Sequence, residues 1–388
     1  MDVSIIIVSY NVRYFLRQCL ESVWNSVRKS GLSVEVFVVD NNSSDHSVGY
    51  LRASFPAHRY PNLNLIANTQ NVGFGRANNQ ALQKATGRYV LFLNPDTIIT
   101  EDTLSDCFGF AESHPDTGAI GVKMLSSRGT FSLESRRGLP TPWVAFCKMS
   151  GLCSIFPKSR WLGHYYMRYL DEREAAEIEI VSGAFMFCNH DALTRTGGFD
   201  EQFFMYGEDI DLSYRLLLEG YHNWYVPTPI VHYKGESTQK GSYRYVHTFY
   251  KAMLIFFRKH FRRTSIALTL PIQIAIILQA LLALLRQKVR GLVEYLLPDP
   301  DAEPLNICYY GPEATDAALL ERADVWNVRI TCHNDLEGAV PEGTHIVAYD
   351  TETYTYGDII RNLEARNFEL GTYTPSRHCL ICNARICH

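Results

Sequence analysis

Three acidic side chains lie within four positions, at Glu208, Asp209 and Asp211, and they begin a predicted helix that continues through residue 218. Acidic residues in a first helical turn interact favourably with the helix dipole, so a capping role is one explanation. Capping needs only one Asp or Ser, however, and a positioned carboxylate can also remove the proton of an attacking hydroxyl group. We therefore predict that one of these carboxylates acts as a general base.

A second acidic position, Asp96, follows a run of apolar residues at 89–93 and the pair Asn94-Pro95. A carboxylate at the end of a buried strand is costly unless it is paired or bound to a cation. A hard divalent ion that bridges a diphosphate prefers such oxygen ligands. An Asx turn followed by a proline bend would explain the same residues without a metal, and the local sequence leaves both interpretations open.

Together with these acids, one histidine and one glycine-rich segment become candidate binding residues. His232 lies in a short predicted strand, where a lone histidine is usually structural, but it is also a candidate metal ligand or diphosphate contact. Residues 71–79 are rich in Gly and Asn and precede a predicted helix, whose start can bind anionic oxygens. Arg76 would add positive charge there, although Gly and Asn also form ordinary turns.

An alternation of strands and helices must position these residues. Apolar runs at 3–8, 34–39, 63–67 and 89–93 predict buried strands, and residues between them show helical spacing of apolar side chains. This series predicts a mainly parallel sheet, whose ligands bind outside the carboxyl ends of the strands. Because Asp40, Asn71 and Asn94 follow predicted strand ends, we expect them to meet at one edge.

The rest of the chain has a more varied pattern. Residues 125–177 are rich in Pro, Trp, Tyr and Arg and predict loops and short helices. A strand is predicted at 178–187 and an aromatic, basic helix at 243–262. Residues 304–388 show the rhythm of a small Rossmann-like α/β unit, but they lack a complete Gly-x-Gly-x-x-Gly sequence, so cofactor binding there is unsupported.

Composition excludes some classes of protein. The chain has 388 residues, 46% of them apolar, and a net charge of −4, which gives no bulk electrostatic case for a nucleic-acid partner. Most of the ten cysteines are scattered singly, which favours reduced thiols. His378, Cys379, Cys382, Cys387 and His388 form a weak zinc candidate, because their spacing matches no usual site. The N-terminus lacks signal-peptide features, so we expect a cytosolic location.

Residues 265–285 contain no charged side chain. As a helix, at about 1.5 Å per residue, they would roughly match the hydrocarbon core of a bilayer, about 30 Å. Basic residues flank the run on both sides, so no orientation follows. Pro271 and two glutamines weaken a simple span and leave open an interfacial helix or a buried helix between domains. We predict contact with a membrane surface, with its mode open.

A series of short motifs, in this order, resembles family 2 glycosyltransferases of the GT-A fold. The motifs are Val8-Ser9-Tyr10-Asn11, Val39-Asp40-Asn41-Asn42-Ser43-Ser44-Asp45, residues 71–79, Leu93-Asn94-Pro95-Asp96-Thr97, Gly183-Ala184-Phe185, Gly197-Gly198-Phe199-Asp200 and Tyr206-Gly207-Glu208-Asp209-Ile210-Asp211. The resemblance covers residues 1–262 and is strongest to the rhamnosyltransferase-like branch that builds bacterial surface polysaccharides. It implies an α/β GT-A fold with a mixed, mainly parallel sheet, which we assign to residues 1–250. Beyond it, the basic and hydrophobic pattern predicts a membrane-associated helical segment, 251–298, and the rhythm of strands and helices predicts the small α/β unit 304–388.

The resemblance also implies roles for individual residues. Asp209 would be the catalytic base, and Glu208 would shape the site. Asp96 and His232 would bind Mg²⁺ or Mn²⁺; Asn94 replaces the first Asp of the family's Asp-x-Asp motif, which lowers the charge at the metal. The nucleotide-diphospho-sugar donor would be held by Ser9, Tyr10, Asn11, Asp40, Asn42, Asn71, Gly73, Arg76 and Asn94.

The implied reaction is a single displacement that inverts the anomeric carbon. A sugar would pass to a hydroxyl of a glycan or lipid-linked acceptor at the cytoplasmic face of the cell membrane. Only the resemblance favours dTDP-L-rhamnose, and UDP- and GDP-sugars remain open. Two alternatives remain. A nucleotidyltransferase would need a basic, glycine-rich loop where residues 9–14 offer only Arg13, and a non-catalytic nucleotide-sugar-binding scaffold would not need an intact acid cluster.

Overall fold

The computed structural model describes residues 1–233, 243–261, 304–383 and 385–387, together with Val289. The apolar run at 265–285 and His388 lie outside these residues. Within the described part of the chain, no helix is long and apolar enough to cross a membrane.

Among the described residues, the N-terminal part forms a sheet of nine strands. They are β1 (Val3–Ser9), β2 (Val34–Asp40), β3 (Leu63–Ala67), β4 (Tyr89–Leu93), β5 (Thr97–Ile99), β6 (Thr117–Leu125), β7 (Ala176–Ile178), β8 (Phe185–Asn189) and β9 (His222–His232). The order is β3-β2-β1-β4-β8-β6-β9-β5, with β7 also paired to β9. Because β8 runs opposite to β4 and β6, and β5 and β7 run opposite to β9, the other strands share one direction. The expected α/β fold with a mixed, mainly parallel sheet is confirmed.

Helices cover both faces of this sheet. They are α1 (Arg13–Ser30), α2 (Ser47–Ser54), α3 (Phe74–Leu82), α4 (Thr103–Ser113), α5 (Pro142–Met149), α6 (Leu152–Ile155), α7 (His190–Thr196), α8 (Glu208–Leu218) and α9 (Tyr243–His260). Ile5 and Ile7 pack with α1 and α4 on one face, whereas Ile6 and Val8 pack with α3, α7 and α8 on the other. Burial on both faces explains why β1 is a continuous apolar run.

The predicted strand at 178–187 is wrong as a single element. The structure ends β7 at Ile178 and begins β8 at Phe185. The backbone N–H of Ile180 donates to the carbonyl of Arg137 (2.9 Å), and that of Val181 donates to Ser213 Oγ (3.1 Å). Because these donors bond to a loop and a helix, the segment leaves the sheet between the two strands. The strand predicted near residue 230 is only the end of the long strand β9.

The boundary predicted between residues 250 and 251 falls inside the continuous helix α9. This helix packs through Ala252 and Phe256 against Phe203 and Ile210. The first turns of the expected membrane-associated segment are therefore part of the same packed unit as α8.

The C-terminal part forms a second sheet, which has six strands within the described residues. Its elements are β10 (Leu305–Tyr310), α10 (Glu313–Trp326), β11 (Val328–His333), β12 (Ile346–Asp350), α11 (Tyr356–Arg366), β13 (Glu369–Thr374), β14 (Cys379–Cys382) and β15 (Arg385–Cys387). Strands β10 to β13 are parallel, and β14 and β15 add antiparallel strands. Cys379, Cys382 and Cys387 are buried strand residues. No group of three His, Cys, Asp or Glu side chains in the described residues is arranged for a metal ion.

The two sheets share a hydrophobic core. Phe15 of α1 and Val231 of β9 pack in one cluster with Val347 of β12 and Ile360 of α11. The carboxylate of Glu101 also accepts hydrogen bonds from the first two backbone N–H groups of α11, both at 2.9 Å. The C-terminal unit is thus packed directly against the N-terminal one.

Candidate active site

Two buried polar atoms mark the carboxyl ends of β1 and β2. Ser9 and Asp40 are paired in register, and both are almost fully buried. Asp40 Oδ2 accepts a hydrogen bond from the N–H of Ser43 (3.0 Å), but Ser9 Oγ and Asp40 Oδ1 have no hydrogen-bond partner among the described residues. Since buried polar atoms are normally hydrogen-bonded, this pair is suited to a ligand that brings its own donor.

The loops that follow β1 and β2 lie next to this buried pair and hydrogen-bond to each other. The N–H of Asn11 donates to Ser43 Oγ (2.9 Å), and Asn11 Oδ1 accepts from the N–H of Ser44 (2.7 Å). Both Asn11 and Asn42 adopt positive φ angles, and Tyr10 and Asn42 are exposed. A cavity of about 350 Å³ beside Asn11 is also lined by Ile386 of the C-terminal sheet. The predicted donor residues of the first two strands are therefore brought together.

Asn41 is a site residue that the sequence did not single out. Its amide nitrogen donates to Asn71 Oδ1 (2.9 Å) and to the carbonyl of Gly73 (3.3 Å), and its amide oxygen accepts from the N–H of Val72 (3.0 Å). Asn41, rather than the exposed Asn42, fixes the loop at 71–73 to the end of β2. Its position directly after a strand was the available signal.

Gly73 has a packing role that differs from the predicted approach to a ligand. A Cβ atom at this position would lie 2.7 Å from the carbonyl oxygen of Phe204, and φ is +90°. The neighbouring N–H of Phe74 donates to the same oxygen (2.8 Å). Gly73 thus allows the loop before α3 to touch the loop before α8. Arg76 is exposed and lies 3.6 Å from Glu201, so its donor-binding role stays a prediction.

Asn94, Asp96 and His232 are brought together. His232 Nε2 lies 3.4 Å from both Asp96 Oδ1 and the side-chain nitrogen of Asn94. The antiparallel pairing of β5 with β9 sets Thr97 opposite His232 and so fixes this approach. Asp96 is 4% exposed. One carboxylate, one imidazole and one amide fit a divalent ion whose remaining ligands are diphosphate oxygens and water.

Asp209 lies against a cation that sequence reasoning missed. Asp209 Oδ2 lies 2.5 Å from a guanidinium nitrogen of Arg137 and accepts the N–H of Gly183 at 3.1 Å. Burial lowers the pKa of Arg137, but the adjacent Asp209 charge and its hydrogen bond outweigh this effect and raise that pKa. A Cβ atom on Gly183 would lie 3.3 Å from Asp209 Cβ, so a larger residue would crowd the carboxylate.

Glu208 has a different environment from its neighbour. It is 6% exposed, and its Oε2 has no hydrogen-bond partner among the described residues. Burial, followed by the nearby charge of Asp209, raises the pKa of Glu208 to about 8. Glu208 therefore holds a proton in the pH range where enzymes commonly exchange one.

Asp211 serves to join helices. Its buried carboxylate lies 2.7 Å from Arg215, 2.8 Å from Lys259 and 2.7 Å from His260. Burial raises the pKa of Asp211, but the hydrogen bond from His260 and the positive neighbours dominate and hold it at about 2. Asp211 thus fastens α9 to α8.

One turn connects the Asp209 pair with the Asn94 cluster. The N–H of Gly183 donates to Asp209, and the carbonyl of the next residue, Ala184, accepts the N–H of Asn94 (2.9 Å). The expected convergence of Asp40, Asn71 and Asn94 at one edge extends through this turn to Asp209.

Comparison with known proteins places this geometry in a family. Residues 4–196 match the model of Glycosyl transferase family 2. The N-acetylglucosaminyl-diphospho-decaprenol L-rhamnosyltransferase of Mycobacterium tuberculosis is 28% identical over 235 residues, which cover 58% of this chain and 74% of the relative. Rhamnosyltransferase WbbL of Escherichia coli K12 is 28% identical over 241 residues, which cover 60% and 83%.

Among solved structures, the mannosyltransferase PcManGT of Pyrobaculum calidifontis in complex with GDP-Man and Mn²⁺ has a TM-score of 0.47 and 19% identity, and covers 83% of this chain and 79% of its own. The family match, together with the observed sheet, confirms the GT-A fold. Through residues 4–196 the chain belongs to glycosyl transferase family 2, and it is similar to rhamnosyltransferases of that family.

Proposed function

We propose that this protein is an inverting glycosyltransferase that moves a sugar from a nucleotide-diphospho-sugar to a hydroxyl of a glycan or lipid-linked acceptor in cell-envelope polysaccharide synthesis. The observation that carries the proposal is the Gly183–Ala184 turn, which hydrogen-bonds to Asp209 on one side and to Asn94 on the other. A carboxylate is thereby set next to a candidate diphosphate site. The two similar rhamnosyltransferases support rhamnose as the sugar, and the diphospho-decaprenol acceptor of the mycobacterial enzyme supports a lipid-linked acceptor.

The donor would bind along the carboxyl edge of β1, β2 and β4. The buried Asp40 Oδ1 would accept an N–H group of the nucleobase, and Ser9 Oγ would complete the contact. Asp96, His232 and Asn94 would hold Mg²⁺ or Mn²⁺ against the diphosphate. When bound, such an ion neutralises the charge that develops on the departing nucleoside diphosphate.

The acceptor would react beside Asp209. Its hydroxyl proton passes to the Asp209 carboxylate while the oxygen forms a bond to the anomeric carbon. The bond from that carbon to the diphosphate oxygen breaks, and its electron pair leaves with the nucleoside diphosphate. One displacement inverts the anomeric configuration. Arg137 would orient the carboxylate throughout, because it holds Asp209 Oδ2 from the protein side.

Donor turnover tests the proposal. The intact chain is incubated with dTDP-, UDP- and GDP-sugars, with Mg²⁺, with Mn²⁺ or with EDTA, and release of nucleoside diphosphate is measured. The Asp209→Asn variant is compared with Glu174→Gln, which changes an exposed acid. We expect metal-dependent release from one donor class, reduced at least about 1,000-fold by Asp209→Asn and unchanged by Glu174→Gln.

The other outcomes are equally informative. Binding of a nucleotide-sugar without turnover would favour the non-catalytic scaffold. Full activity of Asp209→Asn would remove Asp209 from the proposed base role. We also propose that the protein acts at the cytoplasmic face of the cell membrane.

A further inference from the structure

Five large apolar side chains are exposed on one small module of the fold. The module comprises α5, α6 and the following turns, residues 142–163, and its exposed side chains form what we call the aromatic patch: Trp143, Phe146, Ile155, Phe156 and Trp161. Between 38% and 67% of each side chain's residue surface is exposed. Protein surfaces normally carry such residues singly, and a concentration of them marks an interaction site.

Contacts between the rings of the aromatic patch fix their positions. The ring of Trp143 stacks on that of Trp161 with centroids 4.6 Å apart, and it lies 5.7 Å from that of Phe146. The indole N–H of Trp143 also donates to the carbonyl of Trp161 (3.3 Å). These contacts hold the rings in place without covering them.

The chain segment that carries the patch has only positive charges. Residues 135–170 contain no Asp or Glu, although the whole chain has a net charge of −4. The cations in this stretch are Arg136, Arg137, Lys148, Lys158, Arg160 and Arg168. Lys158, Arg160 and Arg168 are exposed. Apolar and cationic groups therefore share one surface.

The same character continues into α9. Phe257 of this helix packs on Ala145 of α5, with Met149 and Phe261 around them. The sequence from 237 to 293 also has no Asp or Glu, and the uncharged run 264–285 begins shortly after α9 ends. The end of α9 thus lies against α5 of the patch module, shortly before the most apolar stretch of the sequence.

We propose that the aromatic patch docks this protein on a membrane that carries anionic lipids. Trp and Phe side chains insert at the level of the headgroups, and nearby Lys and Arg side chains are attracted by anionic lipids. A second copy of the chain would bring the same cations face to face. Residues 264–285 of the same chain would cover the apolar groups but offer no negative charge. An anionic lipid surface satisfies both.

Docking would bring a lipid-linked acceptor close to Asp209, and this consequence rests on the proposed function. Arg137, which holds Asp209, lies five residues before the module in the same acid-free stretch. A membrane bound at the patch would meet the segment that positions the base, as transfer to a lipid-linked acceptor requires. Membrane binding itself stands independently of sugar transfer.

Vesicle co-sedimentation of the full chain tests the proposal. The vesicles contain phosphatidylcholine alone or mixed with phosphatidylglycerol. The patch variant is Ile155→Ser, Phe156→Ser and Trp161→Ser, and its control is Leu218→Ser, Leu320→Ser and Val325→Ser, which alters exposed apolar residues elsewhere. The charge variant is Lys158→Glu and Arg160→Glu. Its control is Lys84→Glu and Arg195→Glu, which changes exposed cations just after α3 and in α7.

We expect the wild type to bind mixed vesicles, the patch variant to bind about ten-fold more weakly, and the charge variant about five-fold more weakly, with both controls unchanged. Nucleotide-sugar hydrolysis without vesicles should be the same in the wild type and the patch variant, so loss of docking is distinguishable from loss of catalysis. Three results would overturn the proposal: no vesicle binding by the wild type, equal binding by the patch variant, or a wild-type dimer that the patch variant converts to a monomer without any vesicle binding.

Discussion

The neighbouring acids Glu208 and Asp209 differ in the groups that they contact. Asp209 has the Arg137 guanidinium and a backbone N–H as partners, whereas Glu208 is buried with one oxygen unpaired among the described residues. A proton on Glu208 avoids placing two negative charges side by side. Burial and the Asp209 charge thus keep a proton on Glu208, beside an Asp209 carboxylate that is paired with Arg137.

The raised pKa of Glu208 should reduce stability at neutral and alkaline pH. With a pKa of about 8 in the native state and 4.5 as its ordinary value, native Glu208 retains a proton that the unfolded chain releases between these limits. The free energy of unfolding therefore falls as pH rises from 4.5 to 8. We expect Glu208→Gln to increase it at pH 8 by on the order of 2 kcal/mol, with a smaller gain near pH 5.

Urea unfolding of the wild type and Glu208→Gln across this pH range measures the effect. Glu174→Gln, at an exposed acid, serves as the control. A gain of the same size at every pH would show that burial of the side chain, and not its ionisation, causes the difference.

The sequence was enough to identify several candidate site residues. It did not reveal the side chains that hold these residues in position. Strand ends and acid clusters are local patterns, so Asp40, Asp96 and Asp209 were identifiable. Arg137 meets Asp209 across 72 positions, and Asn41 meets Asn71 across 30. Such partners depend on tertiary packing, and no period or motif in one sequence specifies them.

At the scale of elements, helix α8, which begins with Glu208 and Asp209, is held in place by helix α9. Helix α9 follows the last strand of the N-terminal sheet and packs on α8 through apolar contacts and through the Asp211 carboxylate. Gly207, in the turn before α8, has a φ angle of 81°, and the helix begins directly after it with Glu208 and Asp209. The position of Asp209, the proposed base, therefore depends on a residue that the proposed reaction does not use.

Asp211→Asn should loosen this attachment. Arg215, Lys259 and His260 would lose the charge that they share, so we expect the free energy of unfolding at pH 7 to fall by about 3 kcal/mol. Because the pKa of Asp211 is lowered to about 2 from 3.8, its contribution is complete above pH 3.8 and disappears as pH falls through 2.

Urea unfolding at pH 7 and limited proteolysis within α9 are the measurements. Glu219→Gln, at the exposed end of α8, is the matched control. Equal stability of Asp211→Asn and Glu219→Gln would mean that apolar packing alone holds α9.

Elements were predictable where burial was uniform. Strands β1, β2 and β4 are buried on both faces and read as apolar runs. The interruption between Ile178 and Phe185 was hidden, because Ile180 and Val181 continue the apolar pattern of the strand. The N–H groups of Ile180, Val181 and Gly183 bond instead to Arg137, Ser213 and Asp209. Hydrophobicity reports burial, and it does not report the hydrogen-bond partner.

At the scale of the whole molecule, the two sheets are joined by a common core and by a helix cap. Val12, Phe15 and Val231 lie in one cluster with residues of the C-terminal sheet. Ile386 also reaches the cavity beside Asn11. The C-terminal sheet therefore shares a core with the N-terminal one and also contributes to the surface beside the loop that begins at Asn11.

Glu101→Ala should weaken this junction. Glu101 accepts both N–H groups that begin α11, and its carboxylate lies at the positive end of that helix. We expect a loss of about 1–2 kcal/mol in the free energy of unfolding and faster hydrogen exchange at the start of α11. Asp102→Ala is the neighbouring control, since Asp102 pairs with Lys29 on an exposed surface, where screening makes such contacts weak. If exchange in Glu101→Ala increases in β5 and β9 as well as in α11, the two sheets open as one cooperative unit. If the two variants behave alike, the shared apolar core joins the sheets without help from the cap.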